Sequence, residues 1–270
     1  MSISLGQVSL MSKRKALFLL EGDKTERQFL NRVTKYYPDI LVDYYVIGTN
    51  IFDLNNHLCN VIGEDWLSDG QKIVNLLINM KPLSSTGSTT NRMLDVDSFT
   101  DIFLIFDFEK LGTSFSVDLL LRMQRFFSDS TRNGLLLLNY PMVEAYRHLK
   151  CVPDSEYVTR TYSIASGEHY KTIVGRESKY TNLHKYDKEM IDYIFYINKL
   201  KLDKYTYSAM SLSEKLYLFL QYQSHQTDIL VEFTMILFLE LYNISGYSGN
   251  LIDAAIHRTS NQAETTDLFA

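Results

Sequence analysis

Cysteine, proline and glycine are scarce in this sequence, and each shortage excludes a class of protein. Only 2 cysteines occur, Cys59 and Cys151, and they stand far apart. This excludes a disulfide framework and argues against a cysteine-based zinc site. The 4 prolines and 12 glycines, against 19 tyrosines and 15 phenylalanines, describe a compact chain with few loops.

Long hydrophobic runs are also absent. No apolar run approaches the roughly 20 residues of a membrane span, and no long apolar stretch followed by a cleavage site occurs near the N-terminus. We therefore expect a cytoplasmic protein that does not bind a membrane. With 270 residues, of which 46% are hydrophobic and 22% charged, the chain can bury one large core or two modest ones.

The chain also lacks an excess of positive charge, because its net charge is -5. Without a general positive field, a nucleic acid must be held locally, through a metal, or by a partner. One cluster combines basic and aromatic residues: Lys171, Arg176, Lys179 and Lys185, interleaved with Tyr170, Tyr180 and Tyr186. It is either a contact for a nucleic-acid backbone or a solvated face. No phosphate-binding loop occurs, which argues against ATP hydrolysis within the chain.

Apolar runs alternate with segments of helical periodicity in the first half of the chain. Strands are predicted over residues 15–20, 42–47, 101–106 and 134–138. Helices are predicted over residues 26–36, 52–62, 71–80 and 117–127, the first of them capped by Thr25. The Ser/Thr-rich stretch 83–91 is predicted to be a surface loop. This alternation predicts an α/β domain over residues 12–150, with a mostly parallel sheet flanked by helices.

The pattern changes after Pro153, where tyrosines and lysines become frequent. Helical spacing recurs over residues 188–200, 213–223 and 228–242. We therefore predict a mainly helical C-terminal region over residues 151–270. Three roles stay open for it: dimerisation, substrate recognition and the docking of a partner.

Acidic residues follow two of the predicted strands. Glu21 comes directly after the first strand, and Asp107 and Glu109 come after the strand 101–106. Ligand sites in open parallel sheets lie at the carboxyl ends of strands, so neighbouring strands would bring these three carboxylates together. Such a cluster repels itself unless a hard cation neutralises it, and Mg²⁺ is the natural occupant.

A second acidic pair and two histidines are further candidates for a functional site. Asp95 and Asp97 precede their strand, at the opposite end of the sheet, and we assign them to a capping or loop role. His148 and His169 lie beside apolar segments, where a histidine is usually hydrogen-bonded scaffold. We leave the histidines out of the site.

Three segments resemble a known family. The sequence EGDKTE at residues 21–26 and DFE at residues 107–109, each after a strand, resemble the Toprim signature. With NYPMVEAY at residues 139–146, they are similar to the RloB-like and OLD-family Toprim nucleases of bacterial antiphage (abortive infection) systems. The resemblance covers about residues 15–150. Glu109 stands where that family has aspartate, and Tyr140 interrupts its Asn-Pro pair.

The resemblance implies roles for five residues. It implies that Glu21, Asp107, Glu109 and Glu144 are catalytic, and that Glu21, Glu26, Asp107 and Glu109 bind Mg²⁺ or Mn²⁺. Glu26 also suits a plain carboxylate at a helix N-terminus, and Glu144 a surface ion pair with Arg147.

The resemblance also implies a function. It predicts a Mg²⁺-dependent endonuclease that acts on DNA or RNA, including tRNA, in antiphage defence. A separately encoded ABC-type ATPase is the expected partner, and self-association into a homo-oligomer is left open. The alternative is a non-catalytic Toprim-fold interaction protein that binds an ATPase partner.

Overall fold

The computed structural model describes residues 14–38, 40–67, 70–79, 95–108, 110, 114–166, 168–207 and 209–234. The strands in these ranges are β1 (Arg14–Leu20), β2 (Ile40–Val46), β3 (Asp101–Asp107), β4 (Ser128–Asp129), β5 (Gly134–Asn139), β6 (Thr161–Ser163) and β7 (Ile229–Val231). The helices are α1 (Thr25–Thr34), α2 (Ile51–Ile62), α3 (Gly70–Asn79), α4 (Val117–Phe126), α5 (Tyr170–Glu177), α6 (Lys188–Tyr205) and α7 (Leu212–His225). The predicted loop 83–91 and Glu109 lie outside the described residues.

Five strands form the main sheet in the order β2-β1-β3-β5-β4. The first four of these run parallel, and β4 pairs antiparallel to β5. This arrangement, with its flanking helices, confirms the predicted α/β fold. Because β1, β3 and β5 are neighbours, their carboxyl ends meet at one edge, where Asp107 is paired in register with Asn139.

The apolar runs explain why β1, β3 and β5 occupy the centre. Nearly every residue of these strands is buried, as expected for parallel strands covered on both faces. Phe18 of β1 and Phe103 of β3 stack with ring centroids 5.2 Å apart. β5 begins at Gly134, whose φ of 99° favours glycine, and a Cβ there would lie 2.8 Å from Leu104 Cδ1.

The opposite edge of the sheet carries a different acidic group. Asp101, fully buried at the start of β3, accepts hydrogen bonds from Arg14 at 3.0 and 2.5 Å and from Ser130 at 3.0 Å. Asp95 caps a short 3-10 helix, Val96–Ser98, before this strand. The capping or loop role predicted for Asp95 and Asp97 is thus confirmed as capping for Asp95, whereas Asp97 lies within the 3-10 helix.

Two local predictions are wrong. α1 begins at Thr25 itself, and Lys24 is the N-cap residue, without a side-chain cap hydrogen bond. Within the predicted helix 228–242, Ile229–Val231 forms β7, which pairs antiparallel with β6. The Gln223 side chain bonds both the amide and the carbonyl of Val231. The pairing of β7 with the distant strand β6 overrides the local helical pattern.

Two of the predicted C-terminal helices are confirmed, since residues 188–200 lie in α6 and residues 213–223 in α7, whereas α5 is a helix that the sequence did not predict. Their buried side chains belong to the same hydrophobic core as those of the sheet. For example, Phe219 of α7 packs against Tyr140, which follows β5, with ring centroids 5.2 Å apart. None of the helices in the described ranges combines the length and apolar content that a membrane crossing requires.

Candidate carboxylate site

Glu21 and Asp107 meet at the carboxyl edge of the sheet. The backbone amide of Asp107 donates to Glu21 Oε2 at 2.9 Å, and the amide of Glu21 donates to the Ile105 carbonyl at 3.1 Å. Both contacts follow from the parallel pairing of β1 with β3. The structure therefore brings together the two acidic residues that end these strands.

Asp107 is partly buried and held in place by β5 and the turn after it. Its Oδ1 accepts from Asn139 Nδ2 at 3.1 Å and from the Val143 amide at 2.9 Å. Burial raises the pKa of Asp107 to about 8, and the charges of Glu26 and Glu144 add to the rise, whereas the two hydrogen bonds oppose it. Asp107 therefore lies in the field of two further carboxylates.

Glu26 lies in the first turn of α1 and is buried. Its carboxylate folds back over Gly22, where a Cβ would lie only 3.2 Å from Glu26 Oε2. Burial raises the pKa of Glu26, and the charge of Glu144 raises it further, against backbone hydrogen bonds and the charge of Lys171. Glu26 is thus part of the site as well as a residue of the helix N-terminus.

Glu144 lies on a 3-10 helix, Val143–Arg147, that follows β5. Only 2% of Glu144 is exposed, so its interpretation as a surface ion pair is wrong. Its Oε1 lies 3.3 Å from Lys171 Nζ and 3.8 Å from Arg147 Nη2. Its Oε2 is buried and has no hydrogen-bond partner among the described residues. A buried carboxylate oxygen in this state calls for a partner, such as a water molecule or a cation.

The four acidic residues Glu21, Glu26, Asp107 and Glu144 are not arranged as a complete metal-binding site. Within the described part of the chain, no three Asp, Glu, His or Cys side chains are grouped so that they could hold a metal ion. Glu144 faces Lys171, and Asp107 Oδ1 is engaged by Asn139 and Val143. The oxygen donors suit Mg²⁺ or Mn²⁺, but they would have to rearrange around it.

Sequence reasoning missed Asn139 and Lys171. Asn139 ends β5 in register with Asp107, so its position after an apolar strand was an available signal. Lys171 reaches Glu144 from α5, a contact that the sequence does not signal. Tyr170 and Tyr186 of the basic and aromatic cluster are buried, and they cannot stack on bases.

The scaffold role predicted for His148 agrees with its contacts. His148 is buried, with Nδ1 at 2.9 Å from Glu232 Oε2 and Nε2 at 3.4 Å from Glu177 Oε2. These contacts tie the segment after β5 to α5 and to the residues after β7. His148 therefore has the scaffold role expected of it.

In the metal-free protein, the contribution of Asp107 to the free energy of unfolding is expected to fall as pH rises from 3.8 to about 8. The folded pKa of Asp107 is raised, so in this window the folded chain holds a proton that the unfolded chain has released. Urea unfolding should show that the advantage of Asp107→Asn over the wild type grows with pH. A pH-independent difference would show that Asp107 is ionised throughout.

The site therefore consists of Glu21, Glu26, Asp107 and Glu144, with Lys171 beside them, at the carboxyl edge of a parallel sheet. Comparisons with protein-family models, curated proteins and solved structures give no match to this chain.

Proposed function

We propose that this chain is a Toprim-like, divalent-metal-dependent endonuclease that hydrolyses phosphodiester bonds of DNA or RNA. The observation that carries the proposal is the meeting of Glu21 with Asp107, in the field of Glu26 and Glu144. Ligand sites of open α/β sheets lie at this edge. The proposed setting is antiphage defence in the bacterial cytoplasm.

Mg²⁺ or Mn²⁺ is the proposed cofactor. Glu21, Glu26 and Asp107 would hold it, together with Glu109, which follows β3 in the sequence. Two observations support a cation here: the buried Oε2 of Glu144 has no hydrogen-bond partner among the described residues, and burial, together with the charges of neighbouring carboxylates, raises the pKa values of Glu26 and Asp107. When bound, such an ion supplies positive charge for phosphate oxygens and activates water.

The chain's own residues prepare this site. The Asp107 amide fixes the Glu21 carboxylate, which serves as a metal ligand or as a general acid or base. Asn139 and the Val143 amide hold Oδ1 of Asp107 and leave its other oxygen for a ligand. Because the pKa of Asp107 is raised to about 8, cation binding near neutral pH would release a proton from this group.

The proposed partner is a separately encoded ABC-type ATPase. The net charge of -5 gives the chain no general attraction for nucleic acid, so delivery of the substrate by a partner is expected. The sequence contains no phosphate-binding loop of its own. ATP hydrolysis is therefore assigned to the partner.

Cleavage assays test the proposal. We expect the purified chain to cut DNA or tRNA with Mg²⁺ or Mn²⁺, alone or with its ATPase, and EDTA to stop the reaction. Glu21→Gln should lower the rate by at least about 100-fold, because a metal ligand or proton-transfer group is lost. Asp53→Asn, an exposed carboxylate change on α2, should leave the rate unchanged. No cleavage in any combination, or full activity of Glu21→Gln, would contradict the proposal.

One observation favours the alternative, a non-catalytic protein that binds an ATPase partner. The described carboxylates do not form a ready metal group, and Lys171 already lies beside Glu144. In this case the acids and Lys171 would be a buried polar network of the scaffold. Calorimetry that detects neither Mg²⁺ nor Mn²⁺ binding would favour this function.

A further inference from the structure

The backbone carbonyls of the short helix that carries Glu144 accept hydrogen bonds from other segments of the chain. Four side chains of the C-terminal region donate hydrogen bonds to backbone carbonyls between Val143 and His148. These bonds run from Thr234 Oγ1 to Val143 at 3.4 Å, from Tyr157 Oη to Ala145 at 2.8 Å, from Ser178 Oγ to Arg147, and from Arg160 Nη1 to His148 at 2.5 Å. A short 3-10 helix satisfies few of its own carbonyls, so these donors define where it lies.

We propose that the C-terminal region positions Glu144, and that Tyr157 is the central positioning residue. This inference rests on the proposed function, since it assigns the region's role at that same site. The four donors come from three separate segments, with Tyr157 and Arg160 in one of them, so the helix Val143–Arg147 is fixed against several parts of the C-terminal region at once.

Tyr157 is suited to this role by its burial. It is 0% exposed, its hydroxyl also lies 3.4 Å from Asn198 Oδ1, and burial keeps its pKa far above the ordinary value. The hydroxyl therefore stays protonated and remains a donor at any working pH. Lys201 Nζ lies 3.7 Å from the centroid of the Tyr157 ring, which holds the ring in place.

The same buried lysine ties in the segment after β7. Lys201 Nζ donates to the Glu232 carbonyl at 2.5 Å, and Phe233 exchanges backbone hydrogen bonds with Tyr140 at 2.6 and 2.7 Å. Tyr140 directly follows β5, so this pairing fixes the chain as it enters the Glu144 helix. Thr234 then reaches Val143.

The position of this helix determines two features of the carboxylate site. The Val143 amide is a donor to Asp107 Oδ1 at 2.9 Å, and Glu144 is the next residue. A shift of the helix would therefore weaken the hold on Asp107 and displace the Glu144 carboxylate together. The site's geometry depends in this way on residues beyond 150.

Tyr157→Phe tests the proposal because it removes the hydroxyl and keeps the ring. The matched control is Tyr162→Phe, which loses a 2.8 Å hydrogen bond to the Glu168 carbonyl, away from the Glu144 helix. We expect Tyr157→Phe to speed hydrogen exchange at the Val143 amide and to weaken Mn²⁺ binding, each by about fivefold to tenfold, the effect of one lost hydrogen bond. The control should change neither, with a similar loss in Tm.

The two readouts separate the possible failures. Unchanged Val143 exchange in Tyr157→Phe, or equal changes in the control, would overturn the positioning role. Faster exchange in Tyr157→Phe with an unchanged Mn²⁺ affinity would also overturn it. Absence of Mn²⁺ binding by the wild type would instead contradict the proposed function, and the exchange measurement would still report whether Tyr157 holds the helix.

Discussion

Asp107→Asn is expected to stabilise the metal-free protein and at the same time to weaken its divalent-metal binding strongly. At a pH of about 8, burial and the neighbouring carboxylates oppose the charge of Asp107, and asparagine keeps an oxygen for Asn139 and the Val143 amide. The gain should be about 1–2 kcal/mol, less than the full pKa shift would give, because the side chain keeps partial contact with solvent. A gain in stability with a loss of function is typical of a charged functional site.

Asp101→Asn is the matched control, because the two aspartates lie at opposite ends of the same strand. Asp101 is buried and forms an ion pair with Arg14. Its replacement should cost about 2–3 kcal/mol, since a buried ion pair and its hydrogen bonds are broken. It should leave metal binding unchanged, because it lies at the opposite edge of the sheet. Chemical denaturation and calorimetry measure both effects, and destabilisation by Asp107→Asn would contradict the assignment.

Lys171→Met is expected to raise the affinity for Mn²⁺ by about fivefold to tenfold at low salt. The ammonium of Lys171 lies 3.3 Å from Glu144 Oε1 and lowers the pKa of Glu26, so it competes with any cation for these carboxylates. The methionine keeps the length of the side chain and removes the charge.

Lys179→Met is the control for this change, since Lys179 is an exposed residue just beyond α5. It should leave Mn²⁺ binding unchanged. High salt should reduce the effect of Lys171→Met, because Lys171 itself is more than half exposed and its charge is screened. An unchanged or weaker Mn²⁺ affinity in Lys171→Met would show that the lysine does not compete with a cation.

The sheet and the meeting of Glu21 with Asp107 were predictable from the sequence. Continuous apolar runs indicate buried parallel strands, and the residue after such a strand lies at the edge where ligands bind. The sequence did not show whether the strands that precede Glu21 and Asp107 are neighbours, and the pairing of β1 with β3 shows that they are. The same rule would have identified Asn139, which was missed, because it ends β5 beside β3.

The rest of the site depends on contacts between distant parts of the chain. The helical spacing after residue 228 did not reveal that Phe233 pairs with Tyr140, and so β7 was predicted as helix. Glu144 has Arg147 three residues away, which is typical of a surface ion pair, but only 2% of Glu144 is exposed, and its helix accepts hydrogen bonds from Tyr157, Ser178 and Thr234. Local patterns carry no signal for such burial.

Titration of Mn²⁺ into the metal-free protein at a pH of about 8 tests the central claim most directly. Calorimetry on the wild type, Glu21→Gln and Asp107→Asn should show binding in the wild type, with proton release, and strong weakening in both variants. No binding by the wild type, or equal binding by all three proteins, would contradict a cation site built from these carboxylates.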